Sequence, residues 1–130
     1  MRTIEEKIIA ALRSGNGLKK LSCRDSVKVE ENKIEYYLCD NLLFWSNSDS
    51  IYFFSVRGWN SQTTKNRLNA ILYNFLRVYI YYTKNYKWVL NWNQKEYLID
   101  ATNIFYFKGD KLYLKASHDV EVLPIENKIF

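Results

Sequence analysis

Side chains able to do chemistry are sparse in this chain, and few of them converge. The single histidine, His118, precedes Asp119, and such a neighbour could orient an imidazole for general base work. Successive strand residues point to opposite faces, however, so this pair is not expected to meet. Asp40, Asp49, Asp100 and Asp110 are the carboxylates that could hold Mg²⁺ in a small metal-dependent nuclease. All four fall at expected turns, where aspartate has its own local backbone role. Cys23 and Cys39 form no CxxC pair, and with one distant histidine they cannot assemble a zinc site. Both are expected to be reduced and partly buried. No GxSxG elbow, P-loop, HExxH or GxGxxG occurs. The reading is therefore of a protein with no catalytic residue, no metal ligand and no cofactor, with a small nuclease as an alternative.

Binding chemistry is better represented. The stretch GWNSQTTKNRLN, residues 58 to 69, joins a glycine, a tryptophan and small polar residues to two cations. Ser61 is a natural N-cap, and Thr63 and Thr64 add hydroxyls for the free amides of a first helical turn. With Leu68, Ile71, Leu72 and Phe75 on the core side, Thr63, Asn66, Arg67, Ala70, Asn74 and Arg77 are assigned to the opposite, outward face. That face is polar, small and cationic, and a helix N-terminus beside Thr63, Thr64 and Arg67 could bind phosphate. Trp59 is either a staple on the first turn or a stacking platform. Tyr79, Tyr81, Tyr82, Tyr86, Trp88 and Trp92 pose the same choice between core and exposed aromatic surface.

The charge distribution points the same way. Between Ser50 and Lys95 lie seven cations (Arg57, Lys65, Arg67, Arg77, Lys84, Lys87 and Lys95) and no acid. Residues 1–49 balance at eight against eight and residues 96–130 sum to minus two, so the net charge of +5 resides in the middle third. Twelve of the 22 aromatics share that window. A basic, aromatic-rich, acid-free stretch suits an anionic partner, nucleic acid first.

The elements that would position these residues follow from periodicity. Ile4, Ile8, Ile9 and Leu12 predict a helix over 3–13, closed by Ser14-Gly15-Asn16-Gly17 in left-handed cap geometry. Alternation predicts a meander of short strands at 26–31, 33–39, 42–45 and 51–56, with turns at 31–32, Asp40-Asn41 and 46–50. The period then changes to helical from about 62 to 76. Strand composition returns at 77–92, with a turn at Lys84-Asn85, and KEYLID pairs beyond it. Gly109-Asp110 turns a hairpin of 103–108 and 111–115, and the tail with Pro124 reads as edge strand or coil. The expected fold is α+β, a twisted antiparallel sheet of short strands with an N-terminal helix and one central amphipathic helix packed on it. A partly closed barrel is the alternative. At 130 residues the chain is expected to form a single domain, 1–130. No apolar run is long enough to span a membrane, and Glu5 and Glu6 spoil a signal peptide, so the chain reads as intracellular.

At RGWNSQTTKNRLNAIL the chain resembles small proteins of tailed bacteriophages that carry a GW-x-T-x-TT-x-x-RLN core after a segment like YLHGNLIA. Here that segment reads YYLCDNLLFW, with Cys39-Asp40 in place of His-Gly. The resemblance spans roughly residues 13–90, including the Lys-Lys stretch in Leu18 to Val29 and the strand Lys87 to Leu90. It implies a phage-encoded protein acting in the host cytoplasm and brings no activity with it. Two partners fit: nucleic acid, or a host nucleoprotein occluded as anti-CRISPR inhibitors occlude theirs. The binding candidates are Arg57, Trp59, Thr63, Thr64, Lys65, Asn66, Arg67, Arg77, Lys84 and Lys87. The tail PIENKIF could pair with a second copy's sheet edge to give a homodimer, or close its own sheet.

Overall fold

A computed structural model describes residues 3–48, 51–58, 61–82 and 87–125, and the side chains of Ser48 and Tyr82 lie outside that description. The first helix, α1 (Ile4–Ser14), is capped by Thr3. Thr3 Oγ1 accepts from the Glu6 amide at 3.2 Å and donates to the Glu6 carboxylate at 3.2 Å. Its buried side is Ile8, Ala11 and Leu12. The helix is capped at Gly15 in extended geometry (φ of −77°), so the expected left-handed cap does not form; the positive φ of that stretch is at Gly17 (77°), which opens the next strand. Gly15 is required for another reason: a Cβ there would lie 2.4 Å from the Ala11 carbonyl oxygen.

Five strands then form an antiparallel meander: β1 (Gly17–Lys20), β2 (Asp25–Glu30), β3 (Lys33–Leu38), β4 (Asn41–Ser48) and β5 (Ile51–Phe54). The chain leaves the sheet for α2 (Gln62–Leu76), β6 (Tyr79–Tyr82), β7 (Trp88–Trp92) and β8 (Lys95–Ile99). It returns with β9 (Ile104–Lys108), which pairs antiparallel with β5, followed by β10 (Lys111–Lys115) and β11 (Val120–Val122). The result is an eight-stranded sheet in the order β1-β2-β3-β4-β5-β9-β10-β11 and a three-stranded sheet β6-β7-β8. The α+β expectation holds, with both helices where the periodicity placed them. Strand β1 was not expected, and β4 runs through the supposed turn at 46–48. The turn placed at Asp40-Asn41 is Cys39-Asp40, and the one placed at Lys84-Asn85 lies outside the described residues.

Alternation decides what each strand buries. Tyr36, Phe44, Phe54, Phe105, Phe107 and Leu112 face inward, against Ile8 and Leu12 of α1 and Leu68, Ile71 and Leu72 of α2. Phe75 of α2 meets Phe44 at 5.5 Å between ring centroids, and Trp92 meets Phe107 edge-on at 4.8 Å, joining the small sheet to the large one. Trp88 and Trp92 are thus core residues, whereas Tyr79 and Tyr81 are exposed. The tail is held too: β11 pairs with β10, and the Ile125 amide donates to the Glu96 carbonyl at 2.7 Å.

Two hairpins turn on pairs of non-glycine residues at positive φ, Cys39-Asp40 (48° and 65°) and Asn93-Gln94 (52° and 63°). Two-residue turns with both φ positive match strand twist but cost an L-residue with a Cβ about 1 kcal/mol or more at each position. Gln94→Gly relieves that cost at the exposed β7–β8 turn. Urea denaturation is expected to show a gain of about 0.5–1 kcal/mol with an unchanged m-value.

Candidate functional site

Helix α2 starts where the sequence placed it, and its first turn consumes its own polar groups. Ser61 Oγ accepts from the Thr64 amide at 3.1 Å, and the two hydroxyls share a hydrogen bond of 2.9 Å. Thr64 is 1% exposed and Arg67 6% exposed. The expectation that Arg67 faces outward is therefore overturned, and Thr64, expected to offer its hydroxyl to a phosphate, is buried beside it; helix geometry gives the reason. At about 100° per residue, positions four apart differ by only about 40°, which puts Arg67 beside Ile71 and Thr64 beside Leu68. The outward stripe is Gln62, Asn66 and Tyr73, while Asn74 meets α1 by accepting from Arg13 Nε at 2.7 Å.

Arg67 is the centre of a buried polar network. Its Nε donates to Asp25 Oδ1 at 2.8 Å and its Nη1 to Glu5 Oε2 at 3.2 Å. Asp25 also accepts from Tyr36 Oη at 2.5 Å and from Ser22 Oγ at 2.6 Å. Burial opposes the Asp25 charge, but hydrogen bonds from Arg67, Ser22 and Tyr36 outweigh it and hold the carboxyl below the ordinary carboxylate value. Burial followed by the bond to Asp25 pushes the Tyr36 phenol well up, so it remains a donor. Two positions on from Arg67, the Asn69 side chain bonds both the amide (2.6 Å) and the carbonyl (2.7 Å) of Ile80 on β6. The segment Ser61 to Asn69 is thus a joint among α1, α2, β2 and β6.

The remaining candidates do not converge on one site. Thr63 is half-buried and lines a hollow of about 220 Å³ with Arg24, Cys39, Asn41 and Ser61. Lys65 is half-buried, and Asn66 is exposed and accepts from Gln62 at 2.9 Å. Arg77, outside the helix proper, closes its C-terminus in left-handed geometry (φ of 60°) with its guanidinium 5.0 Å from the Tyr73 ring centroid. Lys87 is exposed, and Trp59 and Lys84 lie outside the described residues. Cys23 and Cys39 are free thiols and are exposed, not partly buried. Asp119 is engaged by Tyr106 Oη at 2.8 Å and by the Ala116 amide at 3.1 Å. Among the described residues no three His, Cys, Asp or Glu side chains cluster to hold a metal.

Arg57 leads to a surface that sequence reasoning missed. At φ of 57° its Nε donates to the Leu42 carbonyl at 2.9 Å, and its guanidinium sits 5.5 Å from the Trp45 ring centroid. Trp45 of β4 lies opposite Phe53 of β5, Phe53 opposite Tyr106 of β9, and Tyr106 opposite Tyr113 of β10. Four aromatics thus form one row across four strands on the face away from the helices. Successive centroids are 5.4, 5.2 and 5.1 Å apart. Trp45 is nearly covered, while Phe53, Tyr106 and Tyr113 are half-buried. Lys115 stands over Phe53 at 5.9 Å, and Lys108 and Lys111 face each other one step along the strands. Desolvation, then the bond to Asp119, pushes the Tyr106 phenol up to about 12. The alternation of each strand was legible, but the row depends on β5 pairing with β9 across the α2–β8 excursion, which no local signal announces.

The family model described as Kyanoviridae Gp96 protein matches residues 1–112, and the chain belongs to that bacteriophage family. No curated protein and no solved structure matches it.

The network makes a specific demand on stability. Asp25 has a folded value below its ordinary 3.8, so its contribution is full above that pH and is lost as pH falls through the folded value. Arg67→Ala leaves a buried carboxylate unpaired and is expected to cost about 3–5 kcal/mol at pH 7. Without the guanidinium, burial raises the Asp25 value. The gap between wild type and variant therefore narrows as pH falls toward 3, as denaturant titrations at a series of pH values will show.

Proposed function

We propose that this member of the Kyanoviridae Gp96 family is a non-catalytic protein that binds nucleic acid in the host cytoplasm. The observation that carries the reading is a division of labour among polar groups. Ser61, Thr64, Arg67 and Asn69 are satisfied inside the fold, while cations beside aromatic rings (Arg57 at Trp45, Arg77 at Tyr73, Lys115 at Phe53) are at the surface. Surface cations beside π-faces suit a polyanion whose monomers carry flat rings. The acid-free window from Ser50 to Lys95 adds a positive field, although Arg67 spends its charge internally on Asp25 and Glu5. No helix among the described residues is long and apolar enough to cross a membrane.

A second reading, an anti-defence inhibitor of a host protein, rests on a different observation. Tyr73, Tyr79, Tyr81 and Leu98 are 41%, 55%, 39% and 48% exposed around the outer side of the small sheet. Register places Tyr81, Val89 and Leu98 in one row there. Such a patch suits a protein surface.

Fluorescence anisotropy with labelled single- and double-stranded DNA and RNA tests the first reading. Affinity is expected to drop about tenfold or more between 50 and 200 mM salt, as counterion release requires for a few phosphate contacts. Absence of binding to every nucleic acid at 50 mM salt, with one host protein captured after nuclease treatment, would replace it with the second.

A further inference from the structure

We infer that the outer face of the eight-stranded sheet is a single-strand binding surface, with bases against Phe53, Tyr106 and Tyr113 and phosphates at Arg57, Lys108 and Lys115. This deepens the nucleic-acid reading and rests on it. The register alone sets the row: Trp45, Phe53, Tyr106 and Tyr113 are direct cross-strand partners, so their rings project from one face in one line. Their sequence neighbours, Phe44, Phe54, Phe105, Phe107 and Leu112, supply the core on the opposite face, beneath both helices and the small sheet. These strands are therefore apolar on both sides, and among the described residues the helices and the small sheet pack on the inner side.

The chemistry of the row favours flat, apolar ligand groups. The rings of Trp45 and Phe53 are nearly parallel (4°), as are those of Tyr106 and Tyr113 (16°), but Phe53 and Tyr106 meet at 42°. That tilt breaks the parallel stack in the middle of the row, where Phe53 and Tyr106 are both half-exposed. A base bound there gains stacking without a sequence requirement, because every base has a π-face. A duplex keeps its base faces stacked inside and can offer this row only its backbone, which selects for single strands. Phe53 to Tyr113 spans two strand spacings, about 10 Å, enough for about two or three bases.

Charge on this face has a consistent arrangement. Lys28 pairs with Glu30, Lys33 with Glu35, and Lys111 with Glu121, so those acids are locally neutralised. Asp119 is held by Tyr106 and the Ala116 amide, with Lys115 near enough to help keep it ionised. Arg57 stands at the Trp45 end and Lys115 over Phe53, while Lys108, in register with Lys111 and Ile51, lies one step along the strands on the other flank. Neither Lys108 nor Lys115 forms a salt bridge among the described residues. Cations thus flank the row along the strand direction, where the phosphates of a strand would pass, while Glu35 beside Trp45 and Glu121 beside Tyr113, each paired with a lysine, continue it in register at its ends.

The test is anisotropy at 50 mM salt with fluorescein-labelled oligothymidylate and oligouridylate, with the same sequences in duplex as competitors. Tyr106→Leu and Tyr113→Leu are each expected to weaken single-strand binding roughly tenfold, the loss of one stacked base. Tyr106→Phe and Tyr113→Phe, which keep the ring, are expected to hold wild-type affinity. Lys115→Gln is expected to lower the magnitude of the salt slope by about 0.7. Lys7→Gln, on the exposed side of α1 and across the sheet from this face, leaves both unchanged. Thermal unfolding of each variant separates loss of fold from loss of site. If wild type binds while the leucine variants keep full affinity, or if duplex competes as well as single strand, the face is wrong and the broader reading survives. If wild type binds neither oligonucleotide nor duplex, both fall together.

Discussion

The ion pair between Arg67 and Asp25 is the constraint on which the arrangement of this molecule depends. The two residues are 42 positions apart, on α2 and β2, and both are almost wholly buried. Desolvating two charges costs more than one contact returns, so such a pair persists only where further hydrogen bonds complete it. Here Tyr36 and Ser22 supply the remaining donors to Asp25, and Glu5 takes a second guanidinium nitrogen. The pair therefore contributes geometry more than net stability. A helix held on a sheet only by Leu68, Ile71 and Leu72 could rotate or slide at small cost, whereas one anchored through Arg67 has a single azimuth. Asn69 then meets Ile80 only at that azimuth, and the position of the small sheet follows.

This explains why the stretch with the strongest appearance of a ligand grip is a joint. Serine, threonine, arginine and asparagine are the residues a phosphate site needs, and they are equally the residues that satisfy buried backbone ends and carboxylates. Spacing separates the two uses. Thr64, Arg67, Leu68, Ile71 and Leu72 follow the three-and-four rhythm of one buried stripe, so the cation was legible as a buried one. The missing information was the partner, since nothing in CRDSV marks Asp25 as the acid that would accept it. Element positions were more accessible. Both helices and the hairpin at Gly109-Asp110 follow from local periodicity, which does not depend on distant pairing. Strand β1 escaped because its residues Leu18 to Lys20 are exposed and show no alternation of burial. The turns at Cys39-Asp40 and Asn93-Gln94 lack the glycine that marks such turns.

Two cations assigned to binding turn out to have backbone duties as well. Arg57 and Arg77 both sit at positive φ, a conformation that glycine adopts without cost. Each is compensated: Arg57 by a hydrogen bond to Leu42 and the Trp45 ring, Arg77 by closing α2 and by the Tyr73 ring. A glycine would relax the backbone at either position and forfeit the guanidinium over the ring. At Arg57 that guanidinium stands at the end of the aromatic row, so the strain is tied to the surface that carries that row.

The edges of the sheets bear on what that surface meets. An open sheet edge recruits other strands, and natural proteins blunt edges with lysines, short strands or side-chain caps. The β1 edge ends in Lys19 and Lys20, the β11 edge is three residues long, and the Ile80 backbone on β6 is occupied by Asn69. The outer face, by contrast, keeps Phe53, Tyr106 and Tyr113 in contact with solvent between flanking cations. A partner that added a strand would need the edges; a partner that read rings and charges would need the face. Among the described residues the β1, β6 and β11 edges are blunted while the outer face keeps its rings half-exposed, an arrangement suited to a ligand with flat groups on a charged backbone.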